Sequence, residues 1–164
     1  MDRVTVSVAI ARPREEVFEY LADIANHAEF TDHYLVNWHL TRENPYGLGA
    51  GARFRVKAPC NRFAWAGVTI TELDPPTRIV ETGQGGKFNR IRTRGEYRLS
   101  PRNDDGTTVE YSIESEPGNL ADRIMDSLGT RAYLKRQNGK ALRRLRAILE
   151  KGERRGRRPT VAGR

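Results

Sequence analysis

Apolar and polar residues alternate over several short stretches of the chain before a helical pattern takes over near the C-terminus. Every second residue from Val4 to Ile10 is a valine or isoleucine, which predicts a half-buried β-strand. Comparable stretches, separated by turns rich in Gly, Pro, Asn and Asp, predict about six more antiparallel strands within 35–42, 53–57, 63–73, 78–82, 91–99 and 109–115.

Two short helices are expected between the first and second strands. Pro13 suits the first position of a helix, and Glu15 and Glu16 complement its N-terminal dipole. A second short helix is expected around Phe30.

A long amphipathic helix is predicted from Asn119 to about Lys151, with Asn119 as its N-terminal cap and Gly152 after its end. Its apolar stripe consists of Leu120, Ile124, Leu128, Leu142, Leu145 and Leu149. A helix with one apolar face needs a broad partner, and the preceding strands supply it.

The middle of that stripe is polar, since Arg131, Lys135 and Asn138 fall near the same face. In one interpretation this segment covers a cavity and offers cationic and amide groups to a ligand. In the other, the helix rotates or kinks near Gly129 and Gly139, so that Arg131 and Lys135 reach solvent. The second is the commoner fate of long basic side chains.

The last two strands also have a predictable register. We place Leu99 opposite Val109, which sets Tyr97 against Tyr111 on the inner face. On the outer face this register pairs Arg92 with Glu116, Arg94 with Glu114 and Arg98 with Glu110. Such ion pairs explain the arginine row without a ligand, whereas arginines with no carboxylates beside them would indicate nucleic acid.

The inner face of the same hairpin carries the small residues Thr93, Gly95 and Ser115. Packed under a helix, they would leave space unless something else fills it. Gly95 marks either a cavity wall or a β-bulge.

The order of elements predicts an α+β fold in which a curved antiparallel sheet of about six to seven strands wraps around the C-terminal helix, with the two short helices after the first strand. Residues 11–18 (ARPREEVF), 48–54 (LGAGARF) and 70–80 (ITELDPPTRIV), with the terminal helix, resemble the START-like SRPBCC superfamily and its helix-grip fold. The resemblance is to the polyketide cyclase/dehydrase and lipid-transport branch, and it spans about 3–150. We expect one domain over 1–151, followed by a tail over 152–164.

The resemblance implies a deep, mainly apolar ligand cavity between sheet and helix. From this sequence, the expected lining is Phe30, Tyr34, Phe54, Trp65, Tyr97, Tyr111, Ile124 and Leu128, with Thr93, Gly95, Arg131 and Lys135 as further ligand-binding candidates. Cyclases of this family are thought to use polar cavity groups, so the candidate acid/base or anchoring residues are His33, Tyr34, Tyr97, Tyr111 and Arg131.

The net charge of +8 at first suggests a nucleic-acid partner. The segment after Glu150, however, carries six basic residues against Glu153 alone, which leaves +3 for the rest of the chain. This tail lacks apolar periodicity, so we expect it to be flexible and solvated, and we expect no specific nucleic-acid partner.

The cysteine content, the histidine spacing and a glycine-rich loop limit the kinds of disulfide, metal and phosphate site that we expect. The single cysteine, Cys60, excludes an internal disulfide and suits a reducing cytoplasm, and no signal peptide or transmembrane segment is expected. His27, His33 and His39 fall six apart, a spacing that matches no common metal site. The glycine-rich loop over 45–51 lacks the Lys and Ser/Thr of a phosphate-binding loop and precedes a strand, so we interpret it as a connection between strands. No cofactor is expected.

Three functions follow, in decreasing order of preference. The first is a binding protein for a hydrophobic, lipid-like or aromatic small molecule. The second is a cyclase or dehydratase acting on a polyketide-like substrate. The third is an interaction module whose basic tail contacts RNA, the ribosome or an anionic membrane. A homodimer remains possible because sheet edges are exposed.

Overall fold

Strands and helices follow the predicted order. The computed structural model describes residues 3–57, 64–116, 130–153, 156 and 158–161, except for the side chain of Lys87. The strands of these residues are β1 (Val4–Ile10), β2 (Leu35–Leu40), β3 (Gly51–Val56), β4 (Trp65–Asp74), β5 (Arg78–Gly85), β6 (Ile91–Pro101) and β7 (Thr107–Glu116). The α-helices are α1 (Arg14–Ala22), α2 (His27–Thr31) and α3 (Thr130–Lys151), and 3-10 turns span Ile24–Asn26 and Lys87–Asn89.

The seven strands form one antiparallel sheet in the order β1-β7-β6-β5-β4-β3-β2, so that β1 and β2 lie at its edges. α3 packs against β1 and α2, while α1 packs against β5 and β6. The sheet curves around the terminal helix, which confirms the predicted α+β helix-grip fold. The first part of that predicted helix, 119–129, lies outside the described residues.

The core includes side chains from the C-terminal half of α3 and from α1. Val17, Phe18 and Leu21 of α1 are almost fully buried, and so is Leu145 of α3. They belong to one apolar cluster that also contains residues of β1, α2 and the central strands. The periodic leucines therefore bury their side chains in the second half of α3, as their spacing predicts.

The hairpin of β6 and β7 has the predicted register, with Leu99 opposite Val109 and Tyr97 opposite Tyr111. Its ion pairs differ from the prediction. Arg98 binds Glu96 on its own strand instead of Glu110 on the facing strand. Glu96 and Arg98 are two residues apart on β6, so their side chains lie on the same face of the sheet. The prediction considered only partners on the facing strand.

Glu96 lies at the centre of an arginine cluster on the outer face of the sheet. Its carboxylate is 2.6 Å from Arg98 Nε, 3.2 Å from Arg94 Nη1, 3.2 Å from Arg3 Nη2 and 3.3 Å from Arg78 Nε. The glutamate is 3% exposed because these side chains cover it. Burial alone would raise the pKa of Glu96, but hydrogen bonds from Arg98 and Arg94, together with the charges of Arg98 and Arg3, hold the pKa below its ordinary value.

Glu72 adds a second carboxylate to this cluster by pairing with Arg78 and Arg94. The arginine row therefore has carboxylates beside it, and its charges are explained without nucleic acid.

The C-terminal segment 158–161 docks on the edge strand β2. Leu40 N donates to Thr160 O over 2.9 Å, and Val161 forms a parallel bridge with Leu40. Arg158 binds Asp23, and Pro159 is buried. The prediction of a flexible tail over 152–164 is thus wrong for these residues, because a backbone bridge and one ion pair leave no periodic signal in the sequence.

Deletion of residues 154–164 should expose the backbone of β2. We expect the free energy of unfolding to fall by about 1–2 kcal/mol, from the lost backbone bond and the buried Pro159. We also expect concentration-dependent self-association through the freed edge. Urea denaturation and size-exclusion chromatography measure the two effects. Arg158→Gln is the control, since it keeps the backbone pairing. A truncated protein as stable and monomeric as the full chain would contradict the docking.

Candidate functional site

A cavity of about 280 Å³ lies between the inner face of the sheet and α3. Residues of α2, strands β2 to β7 and α3 line it. Its wall is mainly aromatic and aliphatic, and its aromatic members are Phe30, Tyr34, Trp38, Phe54, Trp65, Tyr97 and Tyr111. A volume of this size between a sheet and a helix is typical of the lower end of small-molecule sites.

Small residues on the sheet keep this space open. A Cβ atom on Gly95 would lie 2.8 Å from Tyr111 Oη, so the glycine allows the Tyr111 ring to lie across β6. Gly95 faces Ile113 and Glu81 in an uninterrupted register, so the alternative of a bulge at this position is wrong. Thr93 and Ser115 also line the cavity.

Most of the predicted ligand-binding residues lie in the cavity wall. Those present are Phe30, Tyr34, Phe54, Trp65, Thr93, Gly95, Tyr97 and Tyr111. Ile124 and Leu128 lie outside the described residues.

Arg131 and Lys135 are exposed and do not line the cavity. α3 instead presents Leu134, Asn138 and Ala141 to the cavity, and Asn138 is buried. The interpretation in which Arg131 and Lys135 offer their charges to a ligand is therefore wrong. Of the polar residues on this part of the helix, Asn138 points its amide into the cavity, whereas Arg131 and Lys135 extend into solvent.

His33 also lies outside the cavity wall, so the structure does not support its predicted acid/base role. Its Nε2–H donates to Gln137 O over 3.2 Å, and its Nδ1 accepts from Arg144 Nη1 over 2.9 Å. Burial, followed by the charge of Arg144, lowers the pKa of His33. The imidazole joins the turn after α2 to α3 as a neutral ring.

The polar group that sequence reasoning missed is the buried pair of His27 and Glu81. His27 Nδ1 lies 3.2 Å from Glu81 Oε1, and both side chains line the cavity. His27 Nε2 is 2.8 Å from Leu21 O, which can only accept, so Nε2 carries a proton. The contact of Nδ1 with Glu81 Oε1 does not have hydrogen-bond geometry, so this oxygen lies beside the imidazole without a hydrogen bond.

Burial, opposed by the charge of His27, raises the pKa of Glu81. The two residues lie far apart in the chain, so no local motif connects them. The sequence did contain a signal for a buried Glu81. Glu81 is two residues after Ile79 on β5, so both side chains lie on the same, buried face of the strand.

Tyr34 and Asn138 form a second polar pair in the wall. Tyr34 Oη donates to Asn138 Oδ1 over 2.7 Å. Among the described residues, Asn138 Nδ2 and Glu81 Oε1 are buried without a hydrogen-bond partner. The site thus combines an apolar wall with a few polar groups that have unused hydrogen-bonding capacity.

Three tyrosines complete the polar cluster. The rings of Tyr97 and Tyr111 lie 4.5 Å apart, and His27 meets Tyr97 edge-on at 5.7 Å. Burial, followed by the charge of Glu81, raises the pKa of Tyr34, Tyr97 and Tyr111. They are therefore protonated phenols at neutral pH and able to donate hydrogen bonds.

The histidines occupy separate environments, with His39 stacked near Trp65 at 6.2 Å. In the part of the chain that the structure describes, no three His, Cys, Asp or Glu side chains are grouped to hold a metal ion. Nor does any described helix have the length and hydropathy needed to span a membrane.

Glu81→Gln tests the buried carboxyl by its pH dependence. The raised pKa means that the folded protein binds this proton more tightly than the unfolded chain. The associated stability is present below the ordinary glutamate pKa and is lost as pH rises toward the folded value. We therefore expect wild type to lose stability relative to Glu81→Gln as pH increases from about 4. Urea denaturation across pH measures the difference.

Glu114→Gln, on the outer face of β7, is the control for that measurement. Its stability difference from wild type should not follow the same trend. A pH-independent difference for Glu81→Gln would show that Glu81 titrates as an ordinary glutamate.

Solved structures with the same fold share little sequence with this chain. A protein from Nitrosospira multiformis superposes with a TM-score of 0.66 at 18% identity, covering 94% of this chain and 100% of that one. The ginseng major latex-like protein 151 from Panax ginseng gives 0.66 at 14%, covering 89% and 95%. DynU16, a protein in the dynemicin biosynthetic locus, gives 0.61 at 19%, covering 93% of this chain and 48% of DynU16. The chain thus spans about half the length of DynU16.

At these identities the structural likeness shows the fold alone. A search of curated protein sequences finds no match. The family model described as polyketide cyclase / dehydrase and lipid transport matches residues 1–150. Because this match covers most of the chain and agrees with the helix-grip architecture, the protein belongs to the polyketide cyclase/dehydrase and lipid-transport family of the SRPBCC superfamily.

Proposed function

We propose that the protein binds a hydrophobic small molecule, aromatic or lipid-like, in the cavity between the sheet and α3. The observation that carries the proposal is a space of about 280 Å³ bounded mainly by aromatic and aliphatic side chains. Burying an apolar ligand there removes apolar surface of both partners from water. The family membership and the fold are consistent with this role.

Binding of the neutral fluorescent probe N-phenyl-1-naphthylamine tests the proposal. We expect saturable binding with one site per chain. Ile113→Trp should weaken binding at least tenfold, because Ile113 lines the cavity and a larger ring fills it. Thr71→Trp is the matched control on the exposed side of β4 and should bind as wild type does. Equal binding by both variants, or none by wild type, would overturn the proposal.

Native mass spectrometry of protein purified from its own host addresses the same question without a chosen probe. A co-purified molecule released by denaturation would support the proposal and report the ligand mass. Its retention in Thr71→Trp and loss in Ile113→Trp would assign it to the cavity.

Acid–base catalysis in the cavity is a second candidate, and the buried Glu81–His27 pair favours it. A carboxyl group with a raised pKa beside an imidazole can take and return a proton. Such a pair could remove a proton from the carbon next to a ketone, while Asn138 Nδ2 donates to the ketone oxygen. The resulting enol carbon would then attack a second ketone of the same molecule, and the oxygen of that ketone would take up the proton held by the pair. The hydroxyl group formed would leave as water together with a second proton from the attacking carbon, as in a cyclase.

Heptane-2,6-dione is a suitable probe of this activity, because its cyclisation gives 3-methylcyclohex-2-enone and one water, and the enone absorbs in the ultraviolet. If the pair is catalytic, Glu81→Gln should reduce kcat by about 10²-fold or more while probe binding persists. An equal rate in both proteins would leave binding as the function.

Contact of the tail with RNA or an anionic membrane, homodimer formation and a cytoplasmic location stay predictions. Arg158 is held by Asp23 and Asn26, so its charge is available to a partner only when the segment detaches from β2.

A further inference from the structure

We infer that the cavity selects a neutral ligand carrying a hydroxyl group, phenolic or alcoholic, which Asn138 and Glu81 hold by hydrogen bonds. The inference rests on the proposed binding function and specifies the polar end of the ligand. It starts from two cavity-lining side chains, Glu81 and Asn138, that are 5% and 3% exposed.

Each of these side chains has an unsatisfied polar atom. Asn138 accepts from Tyr34 through Oδ1, but among the described residues its Nδ2 has no acceptor. Glu81 Oε1 likewise forms no hydrogen bond there, although it lies 3.2 Å from His27 Nδ1. A buried group left in this state costs about 1–3 kcal/mol, so a ligand that satisfies it gains affinity.

The unsatisfied atoms require opposite partners. Asn138 Nδ2 is a donor and needs an acceptor, whereas a carboxylate or carboxyl carbonyl oxygen of Glu81 needs a donor. A ketone could satisfy only Asn138, and an ammonium N–H only Glu81. A hydroxyl group donates and accepts, and therefore suits both.

An ionised ligand end finds no compensating charge among the described lining residues. Apart from tyrosines, the ionisable side chains among them are His27 and Glu81, whose opposite charges would compensate each other. Arg131 and Lys135 lie outside the wall. A ligand carboxylate or ammonium would thus enter an apolar cavity without a compensating charge, at a cost of several kcal/mol.

Three probes with the same naphthalene ring compare a hydroxyl, an apolar and an ionised ligand end: 2-naphthol, 2-methylnaphthalene and 2-naphthoate. The first two differ by a hydroxyl in place of a methyl group, and the third carries a charge. In wild type we expect 2-naphthol to bind about tenfold more tightly than either of the others, as measured by fluorescence or calorimetry.

Asn138→Leu should reduce the preference for 2-naphthol over 2-methylnaphthalene to less than threefold while binding of 2-methylnaphthalene persists. Gln137→Leu is the matched amide control on the same helix and should keep the tenfold preference. Glu81→Leu gives a second, independent test from the opposite wall, and should also reduce it.

The outcomes distinguish this inference from the proposed function. If the three probes bind wild type with equal affinity, or if the preference survives both Asn138→Leu and Glu81→Leu, the hydroxyl anchor is wrong and the binding function stands. If no probe binds, or if Ile113→Trp binds them as wild type does, both fail.

Discussion

Leu145→Ala is expected to lower the free energy of unfolding by about 3–4 kcal/mol, within the range measured for leucine truncations in packed cores. Leu145 is fully buried in the apolar cluster that also contains residues of α1. Its removal leaves a cavity that close-packed neighbours cannot fill.

Leu134→Ala is the matched control, about three turns toward the N-terminus of the same helix. Leu134 is half-buried and faces an existing cavity, so fewer contacts are lost and we expect a cost of about 1 kcal/mol. Urea denaturation of both variants gives the two values. Equal costs would mean that the N-terminal half of α3 packs as tightly as the C-terminal half, and would count against a ligand cavity.

Glu96→Gln should cost about 2 kcal/mol at neutral pH. Removing one partner of a buried ion pair costs about 3–5 kcal/mol, and partial exposure of the arginines reduces this. Glu96 has a lowered pKa, so its stabilisation is present above the ordinary glutamate pKa and is lost as pH falls through the folded value. The difference between wild type and variant should therefore shrink in acid.

Glu110→Gln distinguishes the observed ion pairs from the predicted ones. Glu110 lies opposite Arg98 in the register, but Arg98 binds Glu96. We expect Glu110→Gln to change stability by less than about 0.5 kcal/mol at any pH. A larger loss for Glu110→Gln than for Glu96→Gln would restore the cross-strand pairing that the sequence predicts.

The β6–β7 hairpin shows how far local patterns carry a prediction. Its register follows from the alternation of apolar and polar residues, since a slip of one residue would turn Tyr97 and Tyr111 away from the core. The wrapping of the sheet around the terminal helix follows in the same way, because an amphipathic helix and a one-faced sheet must cover each other. Most of the aromatic cavity wall could be named for this reason.

Side-chain partners were harder to predict. Glu96 forms ion pairs with four arginines, which come from β5, β6 and the N-terminal segment. The register of one pair of neighbouring strands does not predict all of these contacts, because the arginines lie on three segments. The docked segment 158–161 depends on an open strand edge and on Asp23, which are distant in sequence.

Periodicity along the chain was sufficient to determine the elements, their order and the hairpin register, because burial of apolar faces repeats at the spacing of a strand or a helix. Only the tertiary structure decided the polar chemistry of the cavity. It brought His27 of α2 next to Glu81 of β5 and turned Asn138 inward while Arg131 and Lys135 stayed outside. Contacts between single polar side chains on different elements repeat at no period, so folding alone selects them.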